Sequence, residues 1–221
     1  MNFTENGFEI LKNFISQEWI GNLIYEINRV GFHKETGGVR NINKKLKIIG
    51  EYLASEEFKG KSDSFLPASV RLVRAMLFNK SAESNWYVTW HQDRTVCVSS
   101  RFEETGWSIW SVKENMLHVQ PPLEVLKNMV TLRIHLDSAS NENGCLKVIP
   151  NSHTLGILPA EVIANKIASN EIYFCEVDAG DALIMRPLLL HASNKSVAPS
   201  NRRVLHFEFS DWPLPEGVYW G

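Results

Sequence analysis

His91 and Asp93 stand two residues apart in the stretch Asn85-Trp86-Tyr87-Val88-Thr89-Trp90-His91-Gln92-Asp93. Residues two apart in a strand share a face, so an imidazole and a carboxylate here point the same way and make two thirds of a facial metal site. His191, at the end of the apolar run Leu188-Leu189-Leu190, is the candidate third ligand. Two histidines and a carboxylate on one face are the ligand set of non-haem Fe(II) oxygenases, which keeps the opposite face of the ion for a cosubstrate and O2. An HxD pair alone is weak evidence, because strands show it by chance and a lone histidine is more often a structural core residue. Arg202, which opens the last strand, strengthens the set. Its planar guanidinium matches a carboxylate in a two-pronged salt bridge, and 2-oxoglutarate presents such a carboxylate at its far end. Arg203 points to the other face and reads as a surface ion-pair residue.

Such a constellation needs rigid strands. Alternating, β-branched runs predict strands over 70–78, 85–93, 129–136, 144–149, 171–177, 182–190 and 203–209, with Asn143-Gly144 and Ala179-Gly180-Asp181 as turns. A short strand over 7–15 precedes a helix over 17–29, for which Ser16 is the N-cap and Trp19, Ile20, Leu23, Ile24 and Ile27 the apolar stripe. Gly37-Gly38 breaks the chain, and further helices are expected over 45–54 and 159–169. Many short strands prefaced by helices predict a mainly β fold with supporting helices, a barrel or sandwich. The expected organisation is one domain over 1–221. Residues 1–68 form an N-terminal strand and supporting helices, and 69–221 a barrel core with a long loop at 95–127. That loop carries Arg101, Trp107, Trp110, Lys113, His118 and Gln120, and a segment of this length reads as a lid or binding loop. Trp107, His118 and Gln120 are therefore candidate substrate contacts, the alternative being that Trp107 and Trp110 fold back onto the core.

Composition excludes several classes. With 44% hydrophobic and 22% charged residues and a formal net charge of −2, the chain reads as an ordinary globular protein with no basic groove for nucleic acid. No apolar run is long enough to span a bilayer, and the N-terminus lacks a signal pattern, so a cytoplasmic location is expected. Cys97, Cys145 and Cys175 are odd in number and show no CxxC spacing, which suggests buried core thiols in a reducing compartment, where Fe(II) is also at home.

Four stretches together resemble the phytanoyl-CoA dioxygenase family of Fe(II)/2-oxoglutarate oxygenases over nearly the full length. They are 76–80 (Met-Leu-Phe-Asn-Lys), 90–93 (Trp-His-Gln-Asp), 143–153 (Asn-Gly-Cys-Leu-Lys-Val-Ile-Pro-Asn-Ser-His), and 186–193 (Arg-Pro-Leu-Leu-Leu-His-Ala-Ser) with Arg202 after it. The resemblance implies a double-stranded β-helix, a jelly-roll or cupin-like barrel, with iron held by His91, Asp93 and His191 and 2-oxoglutarate by Arg202. Met76 and Gln92 match positions beside the cosubstrate. Arg133 stands where relatives can carry a cosubstrate-contacting aromatic. Alternation places Thr131, Arg133 and His135 on one face; if that face is interior, Arg133 holds 2-oxoglutarate or binds an anionic substrate, and otherwise it is a surface residue. An intact Asp93 disfavours halogenation, since halogenating relatives replace the carboxylate with a small residue. The activity implied is hydroxylation of an unactivated C–H with O2, releasing succinate and CO2. Arg40 and Arg186 are further candidates for gripping a small polar or anionic metabolite, with an acyl-CoA or carrier-linked acyl group as the alternative. The segment 95–127 is longer than its counterpart in the phytanoyl-CoA enzymes themselves, which counts against acyl-CoA. From other classes, a non-catalytic ligand-binding cupin-like module and a zinc hydrolase are the rival readings. His153 reads as structural, and His206 is left outside the ligand set.

Overall fold

The computed structural model describes residues 2–32, 38–197 and 201–221, so Gly37 of the Gly-Gly break lies outside the described residues. The chain opens with α1 (Phe3–Asn6), β1 (Phe8–Leu11) and α2 (Gln17–Val30), then β2 (Val39–Arg40), α3 (Ile42–Lys45), α4 (Lys47–Ala54) and α5 (Glu56–Ser62). There follow β3 (Arg71–Lys80), β4 (Val88–His91), β5 (Val96–Val98), β6 (Ser108–Lys113), β7 (Met116–Gln120), α6 (Leu123–Asn128), β8 (Val130–His135) and β9 (Leu146–Val148). The chain ends with α7 (Ala160–Ser169), β10 (Tyr173–Cys175), β11 (Ala182–Met185), β12 (His191–Ser193) and β13 (Arg202–Ser210).

Two antiparallel sheets face one another. The larger has the order β1-β11-β8-β13-β3-β2 and the smaller β10-β9-β12-β4. The chain changes sheet between β3 and β4, β8 and β9, β10 and β11, β11 and β12, and β12 and β13, which is the winding of a double-stranded β-helix. The sheets are not closed into one hydrogen-bonded barrel. The run 182–190, expected as one strand, divides because the turn at Arg186-Pro187 carries the chain from the larger sheet to the smaller, with the Leu189 amide bonded to the Arg186 carbonyl.

Strand alternation sorts the larger sheet. Ala75, Leu77, Leu132, Ile134, Leu205 and Phe207 face outward and share a core with Leu23 and Ile27 of α2, Ile49 and Tyr52 of α4 and Phe58 of α5. α2 supplies that stripe because its apolar residues recur at helical spacing, its first turn is capped by Ser16 accepting from the Trp19 amide, and Gly31 at φ 83° ends it. The opposite, inward face carries Arg74, Met76, Lys80, Arg133, His206 and Glu208, all but Arg74 buried. Burying charge inside a sandwich is costly unless something pairs with it, so this face is where a site is sought.

The segment 95–127 is not a loop. It forms the three-stranded sheet β5-β7-β6 followed by α6, and Val96, Val98, Trp107, Val119, Val125 and Leu126 pack with Val73 and Met129 in a second core. The alternation that would have revealed β6 is broken by a bulge between Ser108 and Ser111, where Ile109 has φ 54°. Glu114 and Asn115 turn the β6–β7 hairpin with φ 48° and 62°, the left-handed pair that matches strand twist. No helix among the described residues is long and apolar enough to cross a membrane.

Candidate functional site

His91 ends β4 and His191 begins β12, and the two strands pair with these residues directly opposite each other. Their rings lie 4.2 Å apart between centroids. Asp93 lies just beyond β4, fixed by its amide donating to the Pro187 carbonyl at 2.9 Å. Its carboxylate oxygens are 3.8 Å from His91 Nε2 and 3.7 Å from His191 Nε2. One ligand atom from each of the three residues falls within 4.8 Å of the others. His91 Nδ1 and His191 Nδ1 lie 2.8 Å from the carbonyls of Thr89 and Leu189, so each Nδ1–H donates to backbone and each Nε2 keeps its lone pair.

The electrostatics put His191 and Asp93 in the protonation states a metal requires. Burial, with His91 alongside, pushes His191 down to about 3, leaving a neutral imidazole. Burial opposes ionisation of Asp93, but His191 and Arg74 outweigh it and hold the carboxyl well below the usual carboxylate range. The donor set of two imidazoles and one carboxylate, with a cavity on its open side, fits Fe(II).

The triad closes one side of a cavity of about 240 Å³ whose walls also include Arg40, Met76, Phe78, Trp86, Arg133 and Arg202. The face carrying Thr131, Arg133 and His135 is thus the interior. Arg202 is 2% exposed and donates to the Gly144 carbonyl, and its Nε has no partner. Burial and the neighbouring Arg133 push it down to about 9. Lys80, directly across the strand from Arg202, is wholly buried and pushed down to about 7 by burial and by Arg202 and Arg133. Among the described residues, no carboxylate pairs with Lys80, Arg133 or Arg202. Arg133 and Arg202, buried in the cavity wall without an anion, form a slot for one.

Opposite the triad runs a buried chain of hydrogen bonds. Arg133 Nη1 lies 2.9 Å from His206 Nδ1, and His206 Nε2 lies 3.0 Å from Glu208 Oε1, which also accepts from Arg74. An arginine only donates, so His206 accepts at Nδ1 and carries its proton on Nε2. Asp93, His206 and Glu208 also stand within 4.8 Å of one another. That second cluster is filled by the His206 proton and flanked by the guanidinium groups of Arg74 and Arg133, so it is not the metal position. Spacing in the sequence gives no hint of the Arg74–Glu208 pair, since its partners are 134 residues apart.

A family model described as phytanoyl-CoA dioxygenase matches residues 3–204. The chain belongs to the phytanoyl-CoA dioxygenase family. No curated protein sequence matches it. Among solved structures, AviO1 from Streptomyces viridochromogenes is similar at TM-score 0.66 and 22% identity, over 96% of this chain and 93% of that one. HygX from Streptomyces hygroscopicus, solved with nickel and 2-oxoglutarate bound, gives TM-score 0.66 at 12% identity, over 94% and 83%. EctD from S. alaskensis, solved with bound Fe, gives 0.68 at 16%, over 94% and 74%. At these identities the likeness shows the shared fold.

Within this phytanoyl-CoA dioxygenase family member, the residues expected at the site separate into two groups. His91, Asp93, His191, Met76, Arg133, Arg202 and Arg40 come together around the cavity. Arg40 reaches it from β2, where it faces Met76, and its guanidinium is tied at 2.6 Å to Glu114 on the β6–β7 turn. The others do not line it. Gln92 turns away from the cavity: its Nε2 donates to the carbonyls of Gly156 and Leu188, both at 2.8 Å, and its Oε1 accepts from the Leu158 amide at 2.9 Å. Every polar atom of that side chain is spent on backbone, so none is left for a cosubstrate. Thr131 is buried on the inner face beside Glu208, outside the cavity wall. Arg186 lies elsewhere, stacked 4.4 Å from the Phe3 ring and donating to the carbonyls of Lys127 and Met129. Trp107 is 8% exposed in the second core against Phe102, so the fold-back alternative holds and it is no lid. His118 is buried at 3.6 Å from the Cys97 thiol, and Gln120 pairs with Ser108 in the same small sheet. Residues not singled out from the sequence but present in the wall are Arg74, Phe78, Trp86, Val88, Leu146 and Ser193, with His206 beside them.

Proposed function

We propose that this chain is an Fe(II)- and 2-oxoglutarate-dependent oxygenase that hydroxylates a small polar or anionic molecule. The observation that carries the reading is the pairing, within one small cavity, of the His91, Asp93 and His191 triad with the anion slot at Arg202. On this reading His91, Asp93 and His191 hold the ion, Arg202 takes the distal carboxylate of 2-oxoglutarate, and Met76 packs against its carbon chain. Bound iron supplies the activation of O2 that couples decarboxylation of 2-oxoglutarate to oxidation of a substrate C–H.

The chain's own residues do the rest. The Nδ1 bonds to Thr89 and Leu189 fix both imidazoles before the ion arrives, so loading requires little reorganisation. Ionised Asp93 and neutral His191 bind the ion without losing a proton. The carboxylate ligand fills the position that a halide would need, which supports hydroxylation over halogenation. A cavity of about 240 Å³ is small beside ordinary ligand pockets, and the cosubstrate takes part of it. A compact substrate fits the remainder, whereas a long acyl-CoA would lie mostly outside. Arg40, paired with Glu114, stands at the cavity wall where such a substrate would lie.

The test is succinate release from 2-oxoglutarate by the Fe(II)-loaded protein over a panel of small carboxylates, phosphates and neutral metabolites. The reading expects stimulation by a compact polar or anionic compound. Folded protein that neither binds iron nor consumes 2-oxoglutarate overturns it.

A further inference from the structure

The cavity opens between two edge strands. β2 ends the larger sheet and β4 ends the smaller. Arg40 of β2, and Trp86 and Val88 at the start of the β4 segment, line the cavity and are only half-buried, whereas Arg133, His191 and Arg202 are buried deeper in its wall. A substrate entering between these edges meets Arg40 on one side and Trp86 on the other.

The Arg40 guanidinium is already engaged, from outside the cavity wall. Glu114, at the tip of the β6–β7 hairpin, accepts from Arg40 Nη1 at 2.6 Å, and its other carboxylate oxygen lies 4.0 Å from Lys45 Nζ. Glu114 has φ 48° and Asn115 φ 62°, a pair of turn positions that glycine, asparagine and aspartate fill most easily. Turn chemistry gives no reason for a glutamate here; its reach to Arg40 does. The contact is weak, because it uses one donor of the guanidinium and both side chains are partly exposed, at 29% and 43%. A free carboxylate inside the cavity can take the two-pronged arrangement that Glu114 does not. Two cations against one carboxylate also leave this rim positive.

We propose that Glu114 is a tethered stand-in for an anionic group of the substrate: Arg40 leaves it for a substrate carboxylate entering between β2 and β4, and Glu114 thereby sets the preference for anionic over neutral substrates. The stand-in is itself a carboxylate, which names the class. This inference rests on the oxygenase reading above and adds to it the group by which the substrate is recognised.

The experiment uses matched pairs: short aliphatic, aromatic and amino-substituted carboxylic acids, each beside its primary amide. Each compound is titrated anaerobically into the complex of Fe(II) and saturating 2-oxoglutarate with wild type, Glu114→Gln and Arg40→Gln, and binding is read from the change in the visible charge-transfer band. Wild type is expected to bind acids in preference to their amides. Glu114→Gln is expected to tighten the acids by about threefold to fivefold, the worth of an exposed ion pair, and to leave the amides within about twofold. Arg40→Gln is expected to weaken the acids about tenfold or more and to erase the preference. If Arg40→Gln does not fold, the partly exposed Glu114→Gln carries the test. Acid and amide shifting alike in Glu114→Gln, or neither shifting, means that Glu114 only ties the hairpin to β2 and overturns the proposal. So does a wild type whose band forms but which binds no acid of the set, or binds amides as tightly. A wild type that gives no band with 2-oxoglutarate overturns the proposed function and this inference together.

Discussion

Replacing Gln92 by leucine removes three hydrogen bonds while nearly preserving volume. The carbonyls of Gly156 and Leu188 and the amide of Leu158 all lose their partner in a side chain that is 4% exposed. An unpaired buried backbone group costs about 1–3 kcal/mol, and partial relaxation brings the total for three to about 3–6 kcal/mol. In a domain of this size that is a fall of about 10–20 °C in melting temperature. Thermal unfolding of the metal-free protein in chelator, followed by circular dichroism, reads the effect without involving the site. The affinity of the folded variant for 2-oxoglutarate, measured well below its melting temperature, is expected to stay close to wild type because no atom of Gln92 faces the cavity. A variant that melts with the wild type but binds 2-oxoglutarate poorly would put the Gln92 amide on the cosubstrate and refute the argument.

Trp107→Ala is expected to destabilise the protein by about 3–5 kcal/mol, the usual cost of emptying a large core position, and to leave cosubstrate affinity unchanged. Normal stability with lost substrate turnover would instead restore a lid. The pH dependence of stability follows from the buried histidines. Burial holds His118 down to about 4 and His135 well below the ordinary histidine value, so the folded state keeps both neutral while the unfolded chain protonates them near 6.5. Their contribution is fully present above about pH 6.5 and is lost as the pH falls toward 4, by up to about 1.4 kcal/mol per pH unit for each. Melting of the metal-free protein between pH 8 and 5 should show that decline, and a flat profile would contradict it.

The grouping of His91, Asp93 and His191 and the inward position of Arg202 were readable from the sequence because strand order places them. An alternating strand sets His91 beside Asp93, and apolar runs mark where His191 and Arg202 enter the frame. Alternation put Thr131, Arg133 and His135 on one face but left open whether that face was interior or surface, and the sheet packing makes it interior. The same rule held the answer for Gln92, which lies between two residues that point inward and so must point out. Lys80 continues the period of Arg74, Met76 and Phe78 on the inner face, yet it sits next to a turn and reads as part of it. The Arg74–Glu208 pair and the Lys80–Ser193 contact join residues more than a hundred positions apart, and only the sheet order brings them together. Segment 95–127 was misread for a different reason. Its bulge at Ile109 and its left-handed turn at Glu114-Asn115 break the period of two on which strand recognition depends.

On the proposed reading, one cavity binds Fe(II) through His91, Asp93 and His191 and 2-oxoglutarate through Arg202. Anaerobic addition of 2-oxoglutarate to the Fe(II)-loaded protein measures both at once. A weak visible charge-transfer band is predicted for wild type, absent in His91→Ala and Asp93→Ala, and reached only at higher 2-oxoglutarate in Arg202→Leu. Folded wild type without the band, or a band that survives unchanged in His91→Ala, would mean that these residues do not hold iron beside 2-oxoglutarate.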